Sequence, residues 1–138
     1  MTVKPTVSLN FDGRCDEALE LYKRCLGAVV SFRMTWGESP MAKDAPPEWG
    51  GKIVHASFMI GDMRFACADA HPGAYVAPRG ISILLGVSAL DEADRIFREL
   101  GEGGRVTVPL QETFWALRFG GVVDRFGIAW EINCEKPQ

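Results

Sequence analysis

The feature that most limits what this chain can fold into is that one succession of elements runs through it twice. Asp16-Glu17-Ala18 recurs as Asp91-Glu92-Ala93, and both tripeptides open a stretch of helical periodicity, where acidic side chains suit the positive end of a helix dipole. In the first half, Thr6–Phe11 reads as a short apolar strand. Ala18, Leu19, Tyr22, Cys25 and Leu26 then recur at helical spacing until Gly27 stops the helix. Ala28–Thr35 is a strand, and Ile53–Ile60 and Met63–Asp69 form a hairpin about Gly61-Asp62. In the second half, Ile81–Val87 is a strand and Leu90–Leu100 a helix ended by Gly101. A strand at Arg105–Leu110 follows, then a hairpin of Phe114–Val123 and Ile128–Cys134 about Asp124-Arg125-Phe126-Gly127. The stretches Trp36–Gly51 and Ala70–Arg79, with their prolines and glycines, are a loop and a linker.

The order strand, helix, strand, hairpin therefore occurs twice. It predicts an α+β fold of two βαβββ modules, about 5–70 and 80–135, inside a single domain spanning 1–138. One helix covers one face of each sheet and leaves the other face concave. Pairing the open faces, within one chain or across a dimer, encloses a cavity for a small ligand.

Composition narrows the class of partner. The 138 residues fit one ordinary domain, and 47% apolar with 24% charged residues excludes disorder and coiled coil. Fifteen basic against eighteen acidic residues, with no long run of one sign, argue against nucleic acid and anionic membrane. No secretory leader or membrane-length apolar run is evident, which points to the cytoplasm. Cys15, Cys25, Cys67 and Cys134 are widely spaced and read as buried free thiols rather than as a zinc cluster or redox pair.

Polar residues inside the predicted strands are the candidate site groups. Glu131 sits between apolar neighbours, so its carboxylate needs water, a partner, a proton or a metal. Alternation puts His55 with Ser57 on one face of its strand, away from Val54, Ala56 and Phe58. His55 is either a site group or a histidine bonded to backbone at a sheet edge. Asp69 is either a turn-initiating side chain or a pocket acid. Trp115, Leu117 and Phe119 share one face, and Phe114, Ala116 and Arg118 the other; either set could line the cavity. Arg118 could pair with Glu131, bind an anionic ligand bidentately, or stand on the surface. Asn10 and Asn133 are ligand-orienting groups or edge amides. Trp36 and Trp49 bracket the Pro-rich loop as a lid or an exposed patch.

PLQETFWALRFG and DRFGIAWEINC, together with VSLNFDGRCDEALELY, WGESP and HASFMIGD, resemble the PhnB-like branch of the vicinal oxygen chelate superfamily, which includes glyoxalase I and the bleomycin-resistance proteins. The resemblance spans nearly the whole chain. It implies paired βαβββ modules, commonly in a homodimer, with the site in the concave sheet. In metal-dependent relatives, four ligands come from the first and last strands of each module, which suits an octahedral divalent ion that polarises a carbonyl or enediolate oxygen. Carried onto this sequence, those positions are Val7, Ala66 or Ala68, Ser82 and Glu131. Glu131 alone keeps a ligand-type side chain, with His55 as a candidate second ligand, so no cofactor is assigned.

Two functions follow. The first is a lyase or isomerase in which His55 or Glu131 moves a proton beside a carbonyl, with Asn10, Trp36, Ser57, Asp69, Trp115, Arg118 and Asn133 as candidate ligand contacts. The second is a metal-free protein that binds an aromatic drug or metabolite. Proteins of this kind are sometimes described as 3-demethylubiquinone methyltransferases. Methyl transfer is not expected here, because Gly101-Glu102-Gly103-Gly104 follows a helix rather than the first strand of a doubly wound sheet.

Overall fold

The computed structural model describes residues 2–137. The chain divides into two compact units, Met1–Val76 and Ala77–Gln138, and the division falls inside the stretch expected to be a linker. Unit 1 carries β1 (Val7–Phe11), α1 (Cys15–Leu26), β2 (Val29–Thr35), β3 (Ile53–Ile60) and β4 (Met63–Asp69). Unit 2 carries β5 (Ile83–Gly86), α2 (Leu90–Gly101), β6 (Arg105–Gln111), β7 (Ala116–Val123) and β8 (Ala129–Glu135). The sheets run β1-β4-β3-β2 and β5-β8-β7-β6. In each, the first strand lies parallel to the last and the other pairs are antiparallel. Both units are thus βαβββ modules with one sheet order, as the repeated pattern predicts.

Local chemistry accounts for the helices. α1 has Asp16 and Glu17 in its first turn and Lys23 and Arg24 in its last, which complements the dipole at both ends. Gly27 adopts φ 68° and turns its N–H back to the Lys23 carbonyl, which ends the helix without a Cβ penalty. α2 runs one residue beyond its expected end. Gly101 stays helical, Glu102 is extended, and the left-handed residue is Gly103 at φ 77°.

Strand parity decides which side chains form the cores. In unit 1, Val7, Leu9 and Phe11 stand level with Phe65, Cys67 and Asp69, and Phe58 and Ala56 continue the row. Tyr22 of α1 meets Phe58 at 5.9 Å between ring centroids, and Phe58 stacks on Phe65 at 4.9 Å, so this is the helix-covered face. In unit 2, Ala93, Ile96 and Leu100 of α2 are buried with Val122, Trp130 and Ile132. Gly120 permits the approach of α2, since a Cβ there would stand 2.8 Å from the Phe97 ring and 2.9 Å from the Leu110 Cα.

Each core also holds a buried carboxylate. Asp69 ends β4 and accepts from the Cys15 N–H that opens α1 and from the Ile53 N–H that opens β3, both at 2.9 Å. Asp124, in the β7–β8 connection, accepts from the N–H groups of Phe126 and Ile128 at 2.9 and 3.0 Å and from the Trp130 indole N–H at 2.9 Å. It anchors the hairpin turn that Gly127, at φ 94°, completes. Asp124→Asn keeps the shape but replaces one acceptor oxygen by a donor. It is expected to destabilise the chain by about 1–3 kcal/mol in urea unfolding, with the denaturant slope unchanged.

The four cysteines are all buried and free. Cys15 donates to Cys67 across 3.5 Å between sulfurs. That hydrogen bond, and then burial, push the Cys15 thiol far above the ordinary thiol range. The folded chain keeps a proton that the unfolded chain releases. The resulting stability is fully present below the ordinary thiol pKa of about 8.5 and declines as pH rises above it. Unfolding curves at pH 7.5 and pH 10 should show a loss at the higher pH that is smaller in Cys15→Ala.

Candidate functional site

With one face of each sheet under its helix, strand parity assigns the polar strand residues to the other. On the open face of unit 1, Ser8 stands level with Ala66 and Asn10 with Ala68, while Ser57 joins the same row. Val7 is opposite Phe65 on the helix-covered face, so Ser8, and not Val7, shares a face with Ala66. The difference arises because a shift of one residue moves a strand side chain to the opposite face. His55 lies exposed on this face beside Phe32, at 5.8 Å between ring centroids. Ser57 is buried, and its hydroxyl accepts from Arg64 Nη2 at 3.1 Å. Arg64 was not singled out from the sequence, although the alternation of Met63–Asp69 places it with Ala66 and Ala68.

Two other candidates in unit 1 are occupied structurally. Asp69 is buried on the helix-covered face, and both its oxygens accept the backbone N–H groups described above. Trp36 is buried, its indole N–H donates to the Asp69 carbonyl at 3.2 Å, and its ring meets His71 edge-on at 5.9 Å. Trp49 packs over Gly13, where a Cβ would lie 3.0 Å from its ring. These tryptophans pack against residues of their own unit rather than forming an exposed patch.

In unit 2 the open face runs along β8 through Ala129, Glu131 and Asn133. Glu131 is level with Leu84 and Gly121, and Asn133 with Gly86 and Phe119. Glu131 is half-buried, and its Oε1 accepts from the Ser82 hydroxyl at 2.7 Å. Two of the positions implied by the resemblance therefore meet, as a hydroxyl bonded to a carboxylate. Arg118 does not pair with Glu131. It is level with Cys134 on the helix-covered face, and its guanidinium approaches Asp94 of α2 at 3.6 Å.

At the far end of that ladder, Gly86, Val87, Ser88, Leu117, Asn133 and Glu135 line a cavity of about 520 Å³, within the size range of small-molecule sites. Asn133 is held by the Trp115 indole N–H, which donates to its Oδ1 at 3.1 Å. The carboxamide nitrogen is left for another acceptor. Trp115 meets Phe114 at 4.7 Å and Phe119 at 5.2 Å, both edge-to-face, and Phe114 is 89% exposed. Water thus reaches an aromatic cluster that adjoins the cavity through Asn133. β7 begins only at Ala116, because Thr113 Oγ1 accepts the Ala116 N–H and bends the chain before it.

The four-ligand pattern does not fit these residues. Alanine at 66 and 68 and valine at 7 offer no side-chain lone pair, and Ser82 is bonded to Glu131. Among the described residues no three His, Cys, Asp or Glu side chains gather where they could hold a metal ion.

The 3-demethylubiquinone-9 3-methyltransferase family model matches residues 3–133. The chain belongs to that family. Protein YjdN of Escherichia coli K12 is 34% identical over 140 residues, covering 94% of each chain. The crystal structure of PA1353 from Pseudomonas aeruginosa is 40% identical, with a TM-score of 0.85 over 99% of this chain and 100% of that one. A PhnB protein from Bacillus cereus superposes with a TM-score of 0.82 at 22% identity, covering 96% and 99% of the two chains, which is a likeness of fold. These matches place the chain in the PhnB-like branch and give it the glyoxalase-like α+β fold. Neither mixed four-stranded sheet is the doubly wound parallel sheet of a dinucleotide-type cofactor fold. No helix among the described residues is long and apolar enough to cross a membrane.

The donor set carries a direct expectation. Protein incubated with nickel, manganese or zinc and then dialysed should retain well under one ion per chain by elemental analysis.

Proposed function

We propose that this PhnB-like protein binds a small molecule with an aromatic or apolar ring on the open face of unit 2, through Trp115, Phe119, Leu117 and Asn133, without a metal. One observation carries this: the cavity of about 520 Å³ is flanked by an amide that Trp115 orients. Ring stacking supplies affinity, while Asn133, buried and bonded on one side, offers its free N–H donors for orientation. On unit 1, Asn10, His55 and Ser57 lie on the open face of that unit's own sheet, and we assign them as candidate contacts of that face. The whole of 1–138 acts as a single glyoxalase-like domain on this reading. Exposed Phe32 and Leu84 on the open faces favour a homodimer that covers them. Four buried free thiols suit a cytoplasmic setting.

A second reading adds chemistry, on the strength of the Ser82–Glu131 pair. With Oε1 held by the serine hydroxyl, Oε2 can take a proton from a carbon next to a carbonyl, which makes the protein a lyase or isomerase of the superfamily's general kind. His55 is the alternative base. We carry over no methyl transfer from the family description, since neither mixed four-stranded sheet has the parallel strand order of a doubly wound cofactor fold.

Screening aromatic metabolites by tryptophan fluorescence separates these readings. Binding should quench or shift the emission, and Trp115→Ala should weaken affinity at least tenfold, the equivalent of about 1.4 kcal/mol. Equal affinity in that variant would place the ligand elsewhere. Turnover of a bound ligand that is lost in Glu131→Gln, with binding retained, would establish the second reading over the first.

A further inference from the structure

At the opposite end of the β5–β8 ladder, two arginines share a cavity. Ala77, Pro78, Arg79, Gly80 and Ile81 lead into β5 and, with Arg105, Val123, Gly127 and Ala129, line a volume of about 580 Å³. Arg105 is level with Val123 and Val123 with Ala129, so Arg105 lies on the open face. No carboxylate is among the lining residues.

What distinguishes Arg79 and Arg105 is the cavity they share, since Arg24 and Arg98 also have no ion pair among the described residues. Acidic residues outnumber basic ones, 18 to 15, and Arg14, Arg33, Arg95 and Arg118 each have a carboxylate partner. Arg79 and Arg105 are exposed and make neither an ion pair nor a side-chain hydrogen bond among the described residues. Two guanidinium groups at one concave site repel each other unless an anion lies between them. Their planar forks match the oxygens of a carboxylate or phosphate group. The rest of the lining, Ile81, Val123, Ala129 and Pro78, is apolar and suits the carbon skeleton that carries such a group.

We propose that Arg79 and Arg105 form a subsite for the oxyanion group of a small molecule, a carboxylate or a phosphate. Glu131 lies two residues beyond Ala129 on the same face, roughly 6–7 Å along the strand. An anion held at the arginines therefore keeps its own charge off the Glu131 carboxylate while setting the neighbouring carbons beside it. The subsite stands on the two arginines and their cavity and does not depend on the aromatic reading above.

The test is titration of the whole chain with inorganic phosphate and, separately, with acetate at constant ionic strength. It is followed by NMR at the backbone amides and arginine Nε–H groups. Saturable shifts at Arg79, Arg105 and Ile81 are expected with at least one of the two anions. Saturation by phosphate alone identifies a phosphoryl group, and saturation by acetate a carboxylate. In Arg79→Gln/Arg105→Gln, whose dispersed spectrum would show that it folds, affinity should fall at least tenfold. Arg24→Gln, at the exposed end of α1, should bind either anion as the parent does. Shifts that stay linear with both anions, or unchanged affinity in the double variant, would overturn the subsite.

Discussion

A carboxylate removed from water has to be given back the hydrogen bonds it lost, and in this chain that requirement knits the backbone together. Asp69 takes the first N–H of α1 and the first N–H of β3, so helix, hairpin and the end of β4 meet at one side chain. Its own carbonyl accepts from Trp36, which fixes the long loop to the same point. Asp124 does the corresponding work in unit 2 for the β7–β8 turn and Trp130. Backbone amides are fixed dipoles, and their N–H groups stabilise a buried carboxylate. Both acids are consequently unavailable as site groups.

The helix-covered faces then leave the open faces to carry whatever the protein does. On β8, Trp130, Ile132 and Cys134 fill the core while Ala129, Glu131 and Asn133 look outward. The outward row joins a serine-bonded glutamate to an amide beside an aromatic cluster, and at its other end adjoins two arginines that have no partner among the described residues. A metal-free site can be built from such groups, because charge, proton acceptor and stacking surface are already present in the side chains.

Much of the fold is legible in the sequence. The hairpin at Ile53–Ile60 and Met63–Asp69 has the expected bounds, since Gly61-Asp62 between alternating apolar residues is a strong local signal. Phe119 falls level with Asn133 and Arg118 with Cys134, on opposite faces of β7 as alternation requires. Strand ends were less legible. β5 spans Ile83–Gly86, shorter at both ends than the expected Ile81–Val87, and the Thr113 bend delays β7.

The sequence by itself determined the two βαβββ modules, their helix faces and the membership of each strand row, because periodicity, glycine stops and turn residues act over a few neighbouring positions. Only the tertiary structure decided which row each helix would cover, and with it the fate of the polar residues. Arg118 went to Asp94 and not to Glu131, Asp69 went to backbone amides, and Ser82 came to Glu131 across 49 residues of sequence. Those pairings depend on register between strands distant in the chain, and a one-residue shift would exchange the two faces.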